Sequence, residues 1–71
     1  MQKRYSRSEL EHLIEEWVIG SNSKRNKEII KDKLIEGLNI RDIADKYNLS
    51  ETRVKTVVRT FRRTIEQLAE N

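Results

Sequence analysis

The side chains with the most reactive chemistry in this sequence do not form a catalytic or metal-binding set. There is no cysteine and a single histidine, His12, so a thiolate nucleophile and a cysteine-ligated zinc site are both excluded. Three acids, Glu11, Glu15 and Glu16, lie close together, but no base or nucleophile accompanies them. We interpret them as a solvated helix face and expect no enzyme activity, no metal and no cofactor.

A basic stretch near the carboxyl end is the stronger chemical signal. Residues 52–65 carry five of the 15 Lys and Arg side chains and none of the 12 Asp and Glu side chains. The remaining residues therefore hold ten basic and twelve acidic side chains, and the net charge of +3 comes entirely from this stretch. Such a stripe suits a polyanionic partner. On charge alone, a solvated helix face of uneven charge is the alternative explanation.

The elements that position this stretch are predicted to be helices. A chain of 71 residues with no proline and two glycines favours a single all-α domain, 1–71. We predict four helices, over about 7–19, 24–36, 40–47 and 50–69. Ser23, Asn39 and Ser50 are suited to N-cap the last three helices, and Gly20 and Gly37 are suited to end the first two.

The first predicted helix has an apolar face and a start signal. Ser6 followed by Glu9 and Ser8 followed by Glu11 both fit a capping box. The apolar residues that recur at helical spacing are Leu10, Leu13, Ile14, Trp17 and Val18. We expect this stripe to face the core, and we interpret Trp17 as a core side chain, with a role as a partner anchor as the alternative.

Residues 40–59 have the pattern of a helix-turn-helix. Ala44 is small enough for the point where two helices cross, and Asn48, four residues on, tolerates the left-handed conformation that the turn needs. Leu49 is suited to fill the angle between the helices, and Val54 to pack back from the second helix. An ordinary helical hairpin is the alternative explanation.

The exposed side of the last predicted helix then supplies candidate DNA contacts. The amino-terminal half of a recognition helix enters the major groove, so the residues expected to contact base edges are Thr52, Arg53, Lys55, Thr56 and Arg59. The residues expected to contact phosphates are Arg41, Ser50, Arg62 and Arg63. Ser50 serves mainly as a helix cap.

The stretch KRNKEIIKDKLIEGLNIRDIADKYNLSETRVKTVVRTFRR, with its turn and basic helix, resembles region 4 of the sigma-70 class of sigma factors. The module is shared by small regulators of phages and mobile elements in Gram-positive bacteria. The resemblance implies a sigma region 4-like DNA-binding fold and transcription control by a free-standing regulator. It also implies an alternative, an adaptor that binds RNA polymerase or another regulatory protein. Glu51, Thr52 and Thr56 differ from the usual residues of the family, so its promoter contacts are not carried over.

Two further expectations concern partners and location. The residues spaced as a heptad seam along the last helix are Val54, Val58, Phe61, Ile65 and Leu68. We expect those from Val54 to Phe61 to pack on the first helix within one chain, and we leave open whether Ile65 and Leu68 do so or pair with a second copy. A homodimer is therefore a hypothesis. No 18-residue apolar run exists, and the amino-terminal residues lack the apolar segment of a signal peptide, so we expect no membrane contact and a cytoplasmic protein.

Overall fold

The fold is built from four α-helices, seen in a computed structural model that describes residues 5–70, with side chains for residues 5–68. They are α1 (Arg7–Trp17), α2 (Ser23–Leu34), α3 (Ile40–Tyr47) and α4 (Glu51–Glu70). No strand occurs between residues 5 and 70, which confirms the predicted all-α class. No helix in the described part of the chain is long and apolar enough to cross a membrane. The ends of the predicted domain, 1–4 and 71, lie outside the described residues.

The predicted helix ends agree best at α3, which matches, and at α4, which is shifted by one residue. α1 ends at Trp17, two residues earlier than predicted, because Val18 adopts an extended conformation with φ −92° and ψ 102°. α2 also ends two residues early, at Leu34. There the backbone N–H of Glu36 donates to the Lys31 carbonyl at 3.0 Å, and Gly37, with φ 76°, turns the chain toward α3.

Local capping explains where three of the helices begin. The Ser6 hydroxyl accepts the backbone N–H of Glu9 at 3.2 Å, and the Glu9 carboxylate accepts the backbone N–H of Ser6 at 3.1 Å, which confirms the first of the two predicted capping boxes and places Ser8 inside the helix. Asn39 accepts the backbone N–H three residues ahead at 2.8 Å, and Ser50 does the same at 3.1 Å. Each cap satisfies an amide that has no partner inside its helix.

The predicted cap of α2 is wrong. The N-cap is Asn22, whose side chain makes no capping hydrogen bond, and Ser23 is the first residue of the helix. The backbone closes this turn without a side chain, because the N–H of Ser23 donates to the Gly20 carbonyl at 3.2 Å. Gly20 adopts φ 110°, a conformation that favours glycine.

The core receives one side of every helix. Its five side chains with less than 2% of their surface exposed are Ile14, Ile29, Ile30, Ile43 and Val54. The other buried apolar side chains are Ala44, Val57, Val58 and Phe61. Of the heptad seam, Ile65 also packs against this core within the chain, and Leu68 is half-buried. Because one side of α4 packs in the core, the opposite side of the helix must face the solvent.

The expectation that Trp17 fills the core is wrong. Its side chain is 43% exposed, and the neighbouring Ile19 is 82% exposed. Trp17 is the last residue of α1, so the helix offers no following turn to cover the indole. The apolar stripe is instead anchored at Ile14, which is fully buried.

A buried acid ties α2 to α3. Asp32 is only 6% exposed, and its carboxylate accepts hydrogen bonds from the Tyr47 hydroxyl at 2.8 Å and from the Lys46 ammonium at 3.0 Å. In sequence, Asp32 lies three residues after Ile29, on the apolar side of α2, and an acid there is a detectable sign of a buried contact. A buried carboxylate of this kind is costly unless it is paired and hydrogen-bonded.

This cluster predicts a loss of stability at alkaline pH. Burial, followed by the hydrogen bond to Asp32, raises the pKa of Tyr47, and the hydrogen bond to Asp32 raises the pKa of Lys46. Groups with raised pKa values stabilise the fold fully below their ordinary values of about 10 and 10.4, and the contribution is lost as the pH rises through their folded-state values. The urea midpoint should therefore fall above about pH 10.

The variant Tyr47→Phe isolates the tyrosine contribution. It removes one hydrogen bond to a carboxylate and should cost about 1–2 kcal/mol at pH 8. Its urea midpoint should also decline less steeply than that of the wild type above about pH 10, where the wild type loses the tyrosine contribution. Equal declines in both proteins would contradict this account of the cluster.

Candidate nucleic-acid interface

The candidate contacts of α4 all lie on its exposed surface. Thr52, Arg53, Lys55, Thr56 and Arg59 are exposed, and so are Arg62 and Arg63. The core side of the helix is occupied by the apolar side chains that start at Val54. The structure thus leaves every predicted base-contact side chain available to a ligand.

The exposed surface of α4 has two chemically different flanks. Successive residues of a helix are rotated by about 100°. Lys55, Arg59 and Arg62 therefore share one flank, which we call the basic flank. Thr56, Thr60 and Thr64 share the opposite one, the threonine flank. The outermost direction, between the two flanks, belongs to Thr52 and Arg63, with Thr56 and Arg59 at its edges.

Arg7, Lys27 and Lys31 of α1 and α2 form ion pairs with acids, whereas the basic residues of α4 form none with a described residue. Glu15 pairs with Lys27 at 3.1 Å and with Lys31 at 3.0 Å, and Arg7 pairs with Glu36 at 3.1 Å. Hydrogen bonds from Lys31 and Lys27 hold the pKa of Glu15 below its ordinary value. By contrast, no Lys or Arg of α4 forms an ion pair with a described residue. The surplus positive charge is therefore available on α4.

The threonine flank is held in one conformation by its own helix. The hydroxyls of Thr56, Thr60 and Thr64 each donate to the carbonyl four residues earlier, at 2.9, 2.8 and 3.0 Å. These bonds fix the side-chain rotamers. The Thr56 hydroxyl hydrogen is engaged, so its methyl group and a hydroxyl lone pair are what it offers to a ligand. A methyl group at such a position suits contact with thymine.

A groove beside the basic flank collects cations from two helices. Its volume is about 270 Å³, and its lining residues are Lys33, Ile40, Lys55, Val58, Arg59 and Arg62. Four of these six carry positive charge, and none is acidic. We call it the basic groove. Nothing in the sequence pattern identifies Lys33, because its place depends on α2 and α4 lying side by side.

The other predicted contacts lie apart from the basic groove. Arg41 is exposed on the first turn of α3, next to the groove residue Ile40. Ser50 is exposed, but its hydroxyl already caps α4. Arg63 projects from the outer side of α4, and Arg53 lines a different groove. The structure thus brings Lys55, Arg59 and Arg62 together and leaves the remaining candidates as separate contacts.

That second groove lies between α1, α2 and α4 and is largely apolar. Its volume is about 320 Å³, and Trp17, Val18 and Ile19 line it from the α1 side. The threonine flank and Phe61 line it from the α4 side. We call it the Trp17 groove. It holds one cation, Arg53, so it differs in chemistry from the basic groove.

No known protein family, curated protein or solved structure gives a significant match to this chain. The interpretation of the surface therefore depends on its own charges, exposures and contacts. Those features are a basic flank whose cations form no ion pair with a described residue, a fixed threonine flank, and a turn before α4 whose residue types suit its conformation.

Proposed function

We propose that this protein binds double-stranded DNA in a sequence-specific way and thereby regulates transcription. The observation that carries the proposal is the exposed surface of α4, whose cations have no acidic partner among the described residues. Cations presented along one helix are suited to attract the phosphates of a duplex. The amino-terminal half of α4 would enter the major groove.

The junction between α3 and α4 supports a helix-turn-helix over 40–59. Asn48 adopts the left-handed conformation, with φ 56° and ψ 47°, and the N–H of Leu49 donates to the Ala44 carbonyl at 2.9 Å. Ala44 is 4% exposed, and Val54 is fully buried. A helix-turn-helix requires a small residue where the helices cross, a left-handed residue in the turn and an apolar residue on the second helix. Ala44, Asn48 and Val54 meet these three requirements.

In this proposal the contacts divide by chemistry. Thr52, Arg53, Lys55, Thr56 and Arg59 are the candidates for base edges, and Arg41, Ser50, Arg62 and Arg63 are the candidates for phosphates. No step requires a cofactor. The resemblance to sigma region 4 favours a role at promoters or operators. Glu51, Thr52 and Thr56 differ from the usual residues of that family, which favours a preferred DNA sequence different from the promoter elements that sigma factors bind.

A titration with duplex DNA tests the proposal. Duplexes are selected from a random pool, and the affinity of the wild-type protein is measured between about 50 and 200 mM salt. The three arginines proposed for phosphates, Arg41, Arg62 and Arg63, predict a slope of about −2.7 in a plot of log affinity against log salt. The affinity should then fall by about forty-fold over this range. A failure to select any sequence, or an affinity that salt does not change, would contradict the proposal.

A protein-binding adaptor is the second candidate function, and the Trp17 groove favours it. Trp17 and Ile19 are unusually exposed for large apolar side chains and lie beside the threonine flank. The resemblance to sigma region 4 makes RNA polymerase or a regulatory protein the expected partner. The titration separates the two functions, because an adaptor of this kind has no need to bind DNA.

The homodimer stays a hypothesis that fits either function. Two copies would multiply affinity and specificity by reading two half-sites. Of the heptad seam, only Leu68 lies neither in the core nor against it, which leaves little apolar surface for a second helix. A mass of 8.5 kDa in sedimentation at high micromolar concentration would remove the hypothesis.

A further inference from the structure

The basic groove brings together positive charges that no ion pair with a described residue compensates. Lys33 is half-buried at the end of α2, and Lys55, Arg59 and Arg62 approach from α4. No acidic side chain lines the groove, and none of its four cations forms an ion pair with a described residue. Like charges at one site repel each other, and a bound anion would offset the free energy of this repulsion.

Lys33 stands out when it is compared with the other lysines of α2. Lys27 and Lys31 lie on the side toward α1, and both donate to Glu15. Lys24 is exposed at the other end of the helix and lines neither the basic groove nor the Trp17 groove. Lys33 alone among them faces the cations of α4. No contact within the described residues accounts for this position.

The shape of the groove selects the kind of anion. Lys55 and Arg62 are seven residues apart, which corresponds to about 10 Å along α4. A row of charges of this length suits about two consecutive phosphates of one strand better than a single small ion. Two apolar side chains, Ile40 and Val58, complete the lining and offer contact to a sugar.

We propose that the basic groove holds the sugar-phosphate backbone of one DNA strand, with Lys33 as a phosphate contact from outside the helix-turn-helix. The inference rests on the proposed function and deepens it. It assigns Lys55 and Arg59 to the backbone together with Arg62. Base readout then falls to Thr52, Thr56 and Arg53, which lie outside the groove.

The variant Lys33→Gln tests this assignment against a matched control, Lys24→Gln, on the same helix. Loss of one phosphate contact should reduce the magnitude of the salt slope by about 0.9. The affinity of Lys33→Gln should fall by about three- to tenfold near 100 mM salt, equally for a selected duplex and an unrelated duplex of the same length. The control should bind as the wild type does. Thermal melts of both variants check that they are folded.

The outcomes separate the inference from the proposed function. If the wild type binds no duplex, the proposed function fails and the inference fails with it. If the wild type binds and Lys33→Gln keeps both the slope and the affinity, only the inference fails. An effect confined to the selected duplex also overturns it, because it would make Lys33 a contact to bases. Equal losses in Lys33→Gln and Lys24→Gln would overturn it as well, because they would show an effect of net charge and not of a contact in the basic groove.

Discussion

Replacing both Lys55 and Arg59 with alanine is expected to weaken binding to a selected DNA duplex by about a hundred-fold or more. Loss of a side chain that contacts a guanine edge should cost about 1–3 kcal/mol of binding free energy. Loss of one that contacts a phosphate should reduce the magnitude of the salt slope by about one. Both side chains are exposed on α4, so the fold should lose no more than about 0.5 kcal/mol. Fluorescence anisotropy with a labelled duplex measures the change.

The double variant also distinguishes the two roles. Base contacts predict that binding to the selected duplex falls much more than binding to an unrelated one, whereas phosphate contacts in the basic groove predict equal losses. Lys24→Ala combined with Lys27→Ala removes the same charge from α2 and leaves the pair between Lys31 and Glu15 in place. Binding unchanged in the Lys55 and Arg59 variant would mean that α4 is not the recognition helix.

Ile43→Ala is expected to destabilise the fold by about 2–5 kcal/mol. Ile43 is fully buried on α3, and its truncation leaves a cavity in the core. A domain of this length has a total stability of about 4–10 kcal/mol, so the substitution removes a large share of it. Urea denaturation followed by circular dichroism would show a lower midpoint, with part of the population unfolded in water if the loss is near the upper value.

Two further variants calibrate this result. Ile43→Val deletes one methylene group and should cost about 0.5–1.5 kcal/mol. Ile19→Ala deletes the same atoms as Ile43→Ala from a side chain that is 82% exposed, and should cost less than about 0.5 kcal/mol. Similar losses for Ile43→Ala and Ile19→Ala would contradict the core described here.

Most features that depend on neighbours in the chain were predictable from the sequence, and the cap of α2, expected at Ser23, is the exception. The caps at Ser6, Asn39 and Ser50 act over three residues, and the left-handed Asn48 follows from its place between two apolar segments. The spacing of Val54 and the later apolar residues also determines which side of α4 is buried. The exposure of the candidate contacts on α4 follows from the same periodicity.

Features that depend on how helices pack were not predictable in this way. The carboxylate of Asp32 is buried because Lys46 and Tyr47 of another helix reach it. Lys33 joins the basic groove only when α2 lies beside α4. The exposure of Trp17 follows from the direction that the chain takes after α1, and helical periodicity says nothing of that direction.

The contrast between the ion pairs of Glu15 with Lys27 and Lys31 and the cations of α4, which form none with a described residue, has a kinetic consequence. Opposite charges that neutralise each other locally add little to the distant field, so the five cations of α4 contribute strongly to the electric dipole of the molecule. Near a polyanion, that dipole experiences a torque that turns α4 toward it before contact. The association rate constant should therefore carry much of the dependence on ionic strength, because screening shortens the range over which this orientation acts.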